Sequence, residues 1–187
     1  CGNRDYQMPD ILGGSPVIQD CTFRYSNGNG LYIDDNASPV VKNCIFKDND
    51  KYGIEMSGNA TGTITACDFR NNSKNALLLS GRNQLIYDNT FGQNQKIDLQ
   101  DKILLNQTLK IAGTLDNGKP VPYNLGSSVL VENTQSPVTL TILAGVEIQG
   151  HSWGGLSCGA SELIIGKNGT LKVKGTEAEP VLFTSSG

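Results

Sequence analysis

Aromatic side chains are scarce in this sequence: they make up 6% of its 187 residues, with a single Trp (Trp153) and a single His (His151). A zinc site needs several Cys or His ligands at short spacing, and no Cys-x-x-Cys pair accompanies that lone imidazole. No Ser, His and Asp in the order of a hydrolase triad and no phosphate-binding Gly loop occurs, and nothing in the sequence implies a cofactor or a metal. An excess of charge of one sign is missing too. The formal net charge is −3, which leaves no basic footprint for nucleic acid or an anionic membrane. Long apolar runs are also lacking. The longest, Ile103-Leu104-Leu105 and Ala76-Leu77-Leu78-Leu79, fall far below the roughly 20 residues of a membrane span.

Glycine is plentiful, with 22 residues, and so is asparagine. Both tolerate the left-handed backbone of tight turns. Many short strands punctuated by such turns make an all-β chain. A repeat sets the order of the strands. Cys21, Cys44 and Cys67 lie 23 residues apart. Aligned on them, Val17-Ile18-Gln19-Asp20-Cys21-Thr22-Phe23 matches Val40-Val41-Lys42-Asn43-Cys44-Ile45-Phe46 and Thr63-Ile64-Thr65-Ala66-Cys67-Asp68-Phe69. A further copy, Leu85-Ile86-Tyr87-Asp88-Asn89-Thr90-Phe91, has Asn89 in the cysteine column. Each copy leads through a polar loop to a second apolar triplet: Leu31-Tyr32-Ile33, Ile54-Glu55-Met56, Leu77-Leu78-Leu79 and Ile97-Asp98-Leu99.

A coil of this length cannot bury its own apolar face, but stacked coils can. The columns Ile18/Val41/Ile64/Ile86 and Phe23/Phe46/Phe69/Phe91 are expected to pile up at the roughly 4.8 Å spacing of strands. From inward Ile to inward Phe is an odd step, and strict alternation would send the two to opposite faces. A bend at Asp20, Asn43, Ala66 and Asp88 repairs the parity, with Asp and Asn suited to the left-handed conformation and able to bond the next rung. Each coil therefore reads as three short strands and three turns. Cys21, Cys44 and Cys67 read as buried small hydrophobes. Stacked at roughly 4.8 Å, they stand further apart than the roughly 3.8 Å between Cβ atoms in a disulfide, so free thiols are expected.

The pattern in Val41-Lys42-Asn43-Cys44-Ile45-Phe46, continued by a Gly-Ile-x-Met triplet at Gly53 to Met56, resembles the right-handed parallel β-helix repeats of pectate-lyase-like and related bacterial surface proteins. Leu140 to Ile148 resembles the opening coil of such a helix, as does Gly169 to Ser185. The resemblance covers most of the chain and implies the fold more sharply than an activity. Residues 1–100 are read as coils with the Cys/Phe repeat, 101–135 as an irregular junction (a coil or a loop), and 136–187 as further coils starting a second segment. Neither terminus reads as a polar cap, which leads to the expectation of a longer parent polypeptide. Cys1 is compatible with the lipid-anchored N-terminus of a mature bacterial lipoprotein; the plainer reading is a fragment boundary.

Candidate chemistry is thin. Asp34-Asp35 and Asp48-x-Asp50 fall in different turns and should not converge on one ion, which would need about six to eight oxygen ligands. The resemblance would place a substrate along an outer face, where Tyr32, Glu55, Leu78 and Asp98 form one column and Arg24, Lys47 and Arg70 a basic one. Glu55 and Arg70 are the catalytic candidates, since lyases need a basic residue and hydrolases two facing carboxylates. Glu55 and Asp98, about two rungs or 10 Å apart with Leu78 between, make a poor pair. Tyr32, Tyr52 and Trp153 are candidate sugar-stacking residues, although Trp153 suits a packing role as well. The expectation is a non-catalytic extracellular or cell-surface segment of a bacterial protein: a stalk, adhesin or filament unit touching glycan surfaces or other segments of the same or identical chains. The alternatives are a fragment of a polysaccharide lyase, hydrolase or epimerase, and a sugar-binding module.

Overall fold

The computed structural model describes residues 9–80, 83–151 and 161–186. Among them there is no helix, and so none long and apolar enough to cross a membrane. Every strand ladder is parallel, and the strands line up in five sheets. One sheet of eight strands, the spine, runs from Asp10–Ile11 through Leu31–Ile33, Ile54–Met56, Leu77–Leu79, Ile97–Leu99, Tyr123–Leu125 and Glu147–His151 to Leu182–Ser186. The chain winds once around the core between successive spine strands, so the molecule is a parallel β-helix.

In the first coils two further sheets complete each turn. One stacks Val17–Gln19, Val40–Lys42, Thr63–Thr65 and Leu85–Tyr87; the other stacks Thr22–Arg24, Ile45–Lys47, Asp68–Arg70, Asn89–Phe91 and Gly113–Leu115. A single left-handed residue joins the two strands of each coil: Asp20 (φ 57°), Asn43 (52°), Ala66 (51°) and Asp88 (55°). That residue turns the backbone so that Val41 and Phe46, five apart, are both fully buried. Asn43 Nδ2 also donates to Asp20 Oδ1 on the neighbouring rung at 3.3 Å.

Two internal columns hold these coils together. Phe23, Phe46, Phe69 and Phe91 form a continuous stack, with ring centroids 4.8, 5.1 and 5.3 Å apart and planes within 12° of parallel. Beside it runs an amide ladder. Asn49 Nδ2 donates to Asn72 Oδ1 at 2.9 Å, Asn72 Nδ2 to Gln95 Oε1 at 3.3 Å, and Gln95 Nε2 to the Asn72 carbonyl at 3.1 Å. All three amides are buried, so these bonds satisfy groups that water cannot reach. The cysteine column is mixed. Cys44 and Cys67 are buried free thiols, but Cys21 is exposed, which departs from the expectation for all three. Asn89 continues the column by donating to the carbonyls of Ile64, Tyr87 and Ala112 while accepting from the Cys67 amide. Cys1 and Cys158 lie outside the described residues.

Between 101 and 135 the cross-section changes while the spine runs on, Ile97↔Tyr123 and Tyr123↔Ile148. A corner sheet begins with Lys102–Ile103 and continues through Val129–Val131 to Leu163–Ile165. A broad sheet begins with Gln107–Leu109 and continues as Val138–Leu143 and Gly169–Lys174, six residues each. Gln107 Nε2 donates to the Gln84 carbonyl, which sets the broad sheet over the end of Leu85–Tyr87. Along Val138–Leu143 burial alternates strictly, with Val138, Leu140 and Ile142 pointing in. Inward positions here are two apart, parity is kept, and no left-handed residue interrupts the strand. The Phe-bearing sheet stops at Gly113–Leu115. Gly113 (φ 156°) has no Cβ there because one would sit 1.9 Å from the Asn89 carbonyl oxygen. The strand then folds back on itself through Asp116 to Pro120, closed by a bridge from Thr114 to Pro120.

Candidate functional site

The outward column of the spine reads Asp10, Tyr32, Glu55, Leu78, Asp98, Asn124, Gln149 and Thr184. The three-residue strands from Leu31–Ile33 to Tyr123–Leu125 have one outward position each, so in those rungs only one side chain can act here. Tyr32 Oη donates to Asp34 Oδ2 at 2.5 Å, and that bond, ahead of burial, raises the phenol's pKa. Glu55 accepts from Asn29 Nδ2 at 2.8 Å and from Ser57 Oγ at 3.3 Å. Asp98 is 7% exposed and accepts from Asn75 Nδ2 at 3.0 Å and Asn124 Nδ2 at 2.7 Å. Leu78 separates Glu55 from Asp98 in the register. Both carboxylates are thus held by amide and hydroxyl donors and do not face each other across a space.

Tyr52 lies in the turn leading to the spine. Its ring is 9% exposed, the Lys74 ammonium sits 5.3 Å from the ring centroid, and burial followed by the neighbouring Asp98 raises its pKa strongly. A phenol so held stays protonated and is no general base at neutral pH. Little of its face is open for stacking on a ring. Trp153 lies outside the described residues.

Arg70 belongs to a different face. It ends strand Asp68–Arg70, in line with Arg24 and Lys47, whereas Glu55 sits on the spine. Its Nε donates to Asp68 Oδ2 at 2.7 Å and its Nη1 to both oxygens of Asp116 at 2.9 and 3.0 Å. The bond to Asp68, then that to Asp116, raises its pKa. A guanidinium held by two carboxylates is a poor proton acceptor. Beside it lies an open notch of about 440 Å³. Among the described residues, no three His, Cys, Asp or Glu side chains converge to hold a metal ion.

Sequence reasoning had not found Asp116, the buried amide ladder, or the amides holding Asp98. The ladder was visible in principle, because Ser26, Asn49, Asn72 and Gln95 keep the 23-residue step. The position of Asp98 was harder to see. It lies 23 residues beyond Asn75, yet the ladder aligns it with Leu78, because coil four is shorter than those before it.

Residues 11–135 match the family described as right-handed β-helix region, and the chain belongs to that family. This scaffold occurs in pectate lyases, in hydrolases and in surface proteins. No curated protein and no solved structure matches the chain.

Proposed function

We propose that this chain is a non-catalytic segment of a bacterial extracellular or cell-surface protein, serving as a rigid stalk, adhesin or filament unit. What supports the reading is the state of its two best acid–base candidates. Glu55 and Arg70 stand on different sheets, and Arg70 is held by Asp68 and Asp116. Acid–base catalysis needs its groups within hydrogen-bond reach of one substrate bond. The spine adds the mechanical side of the reading. Eight rungs in unbroken register make a rod whose length is fixed by the strand spacing. Its partners in this reading are glycan surfaces and neighbouring segments of the same or identical chains, and Cys1, if it carries a lipid, would tether it.

The test is a turnover screen against neutral and acidic polysaccharides, following new reducing ends and the absorbance of unsaturated products. No turnover is expected. Cleavage that disappears in Glu55→Gln or Arg70→Ala would overturn the proposal and favour a lyase or hydrolase.

A further inference from the structure

Coil four is cut short where the three before it are not. Its passage to the spine takes four residues, 93–96, where coil three uses six, 71–76. At the position of Arg70 it carries Gly92, whose amide bonds the Phe69 carbonyl, and one rung on the amide of Asp116 bonds the Phe91 carbonyl. With no side chain between them, Arg70 reaches across the rung of Gly92 to Asp116. The missing residues and the bare glycine leave the notch of about 440 Å³, within the range of small-ligand sites.

The lining states what the notch can recognise. Its ion group is already closed: Arg70 lies between Asp68 and Asp116, which leaves one net negative charge and no free cation. A carboxylate ligand would be repelled there. The rim is amide. Gln93 and Asn94 are exposed and their side chains make no hydrogen bond to another described residue, and Asn71 uses its Nδ2 on Asp48. Each amide offers a donor beside an acceptor, as a hydroxyl does. No aromatic or aliphatic side chain lines the notch, so nothing in it offers an apolar surface or a ring to stack on a nucleobase.

We infer that this notch binds a residue of a neutral saccharide, through hydroxyls bonded to the Gln93, Asn94 and Asn71 amides and the free Nη2 of Arg70, and that it rejects uronic acids. This goes beyond the structural role proposed above, which stands without it. The geometry also supplies a clean probe. A Cβ on Gly92 would meet only ordinary contacts, none nearer than 3.6 Å, so the backbone accepts Gly92→Gln, whose side chain enters the gap at the expense of the exposed Arg70–Asp116 pair that crosses it.

The experiment titrates the isotope-labelled full chain with neutral gluco-, manno- and galacto-oligosaccharides and, separately, with oligogalacturonate and oligoalginate, following amide shifts. At least one neutral series should shift Gln93, Asn94 and the Arg70 guanidinium, with a dissociation constant of about 1–10 mM for so open a site, while the uronates leave them unmoved. Gly92→Gln, with an unchanged melting temperature, should weaken that binding at least tenfold, and Tyr52→Ala should leave it as it was. Silence with every neutral series, uronates binding as well as neutral sugars, or full binding by Gly92→Gln would each overturn the inference. A structural role for the segment would survive all three outcomes.

Discussion

The two halves of this solenoid solve one problem in opposite ways. From Val17 to Leu99 each coil carries two short strands joined by a left-handed residue, and the inward Phe column depends on that bend. From Val129 onward the same side of the coil is one straight strand of six residues, with inward positions every second residue and no bend. The bent half achieves its packing with a stack of parallel rings and a file of buried amides. Among the described residues, the straight half packs with β-branched and leucine side chains, among them Val129, Val131, Val138, Leu140 and Ile142. What separates the halves is parity. An odd step between core residues demands a special backbone, and an even step does not.

That comparison breaks most readily at the ring stack. Phe69→Ala, which removes a fully buried ring flanked on both sides, should cost about 3–5 kcal/mol. In the straight half, Ile142→Val should cost only about 1 kcal/mol. Urea unfolding midpoints of the two variants measure both losses, and a loss below about 2 kcal/mol for Phe69→Ala would mean that the ring stack does not hold the bent half.

Alkaline pH probes the bent half through its thiols. Burial pushes Cys67 from an ordinary value of 9.0 up to about 12. The native state therefore keeps a proton that the unfolded chain releases above pH 9. Stability should be intact below that point and fall as pH rises toward 12, by at most about 4 kcal/mol from this group. Cys67→Val should flatten the early part of the fall, while the raised phenols of Tyr52 and Tyr123 still act at its upper end.

The amide ladder comes next. Asn72→Ala strands Gln95 Oε1, takes the side-chain donor from the Phe46 carbonyl and leaves Asn49 Nδ2 with the Phe23 carbonyl alone, a loss of about 1–3 kcal/mol. Gln107 is a fair counterpart at the start of the broad sheet. Its Oε1 finds no donor among the described residues, so Gln107→Leu removes one unsatisfied group while taking the Nε2 donor from the Gln84 carbonyl, and should cost less than Asn72→Ala in the same urea series. The smallest effect belongs to the bend itself. Ala66 is exposed and left-handed at φ 51°, where an L side chain is strained, so Ala66→Gly should add about 1 kcal/mol. Thr141→Gly in the straight strand should subtract about as much.

The bent half was legible because its repeat is spelled in side chains that stack on their own kind. The Phe column, and the parity argument that located Asp20, Asn43, Ala66 and Asp88, needed nothing but spacing. What stayed hidden were features set by length rather than by type. Asn49 and Asn72 look like ordinary turn residues until the turn is seen to fold inward. Asp98 keeps the count of the loop column while sitting on a strand, since coil four lost residues before it. Asp116 meets Arg70 across a distance of 46 residues, and only the bare Gly92 between them allows it. From 101 to 135 no cysteine or phenylalanine marks the rungs, so Lys102–Ile103 and Gln107–Leu109 could not be aligned to anything earlier.

Along the spine, successive partners are separated by anything from twenty residues, Leu78↔Asp98, to thirty-five, Gln149↔Thr184, and the ladder advances one rung each time. Axial rise is thus decoupled from how much polypeptide a coil consumes. Extra sequence can go only sideways, as protrusions at the corners, and never lengthens the shaft or shifts its phase. Mutation can therefore remodel the perimeter of such a protein one corner at a time, while whatever is mounted further along keeps its height.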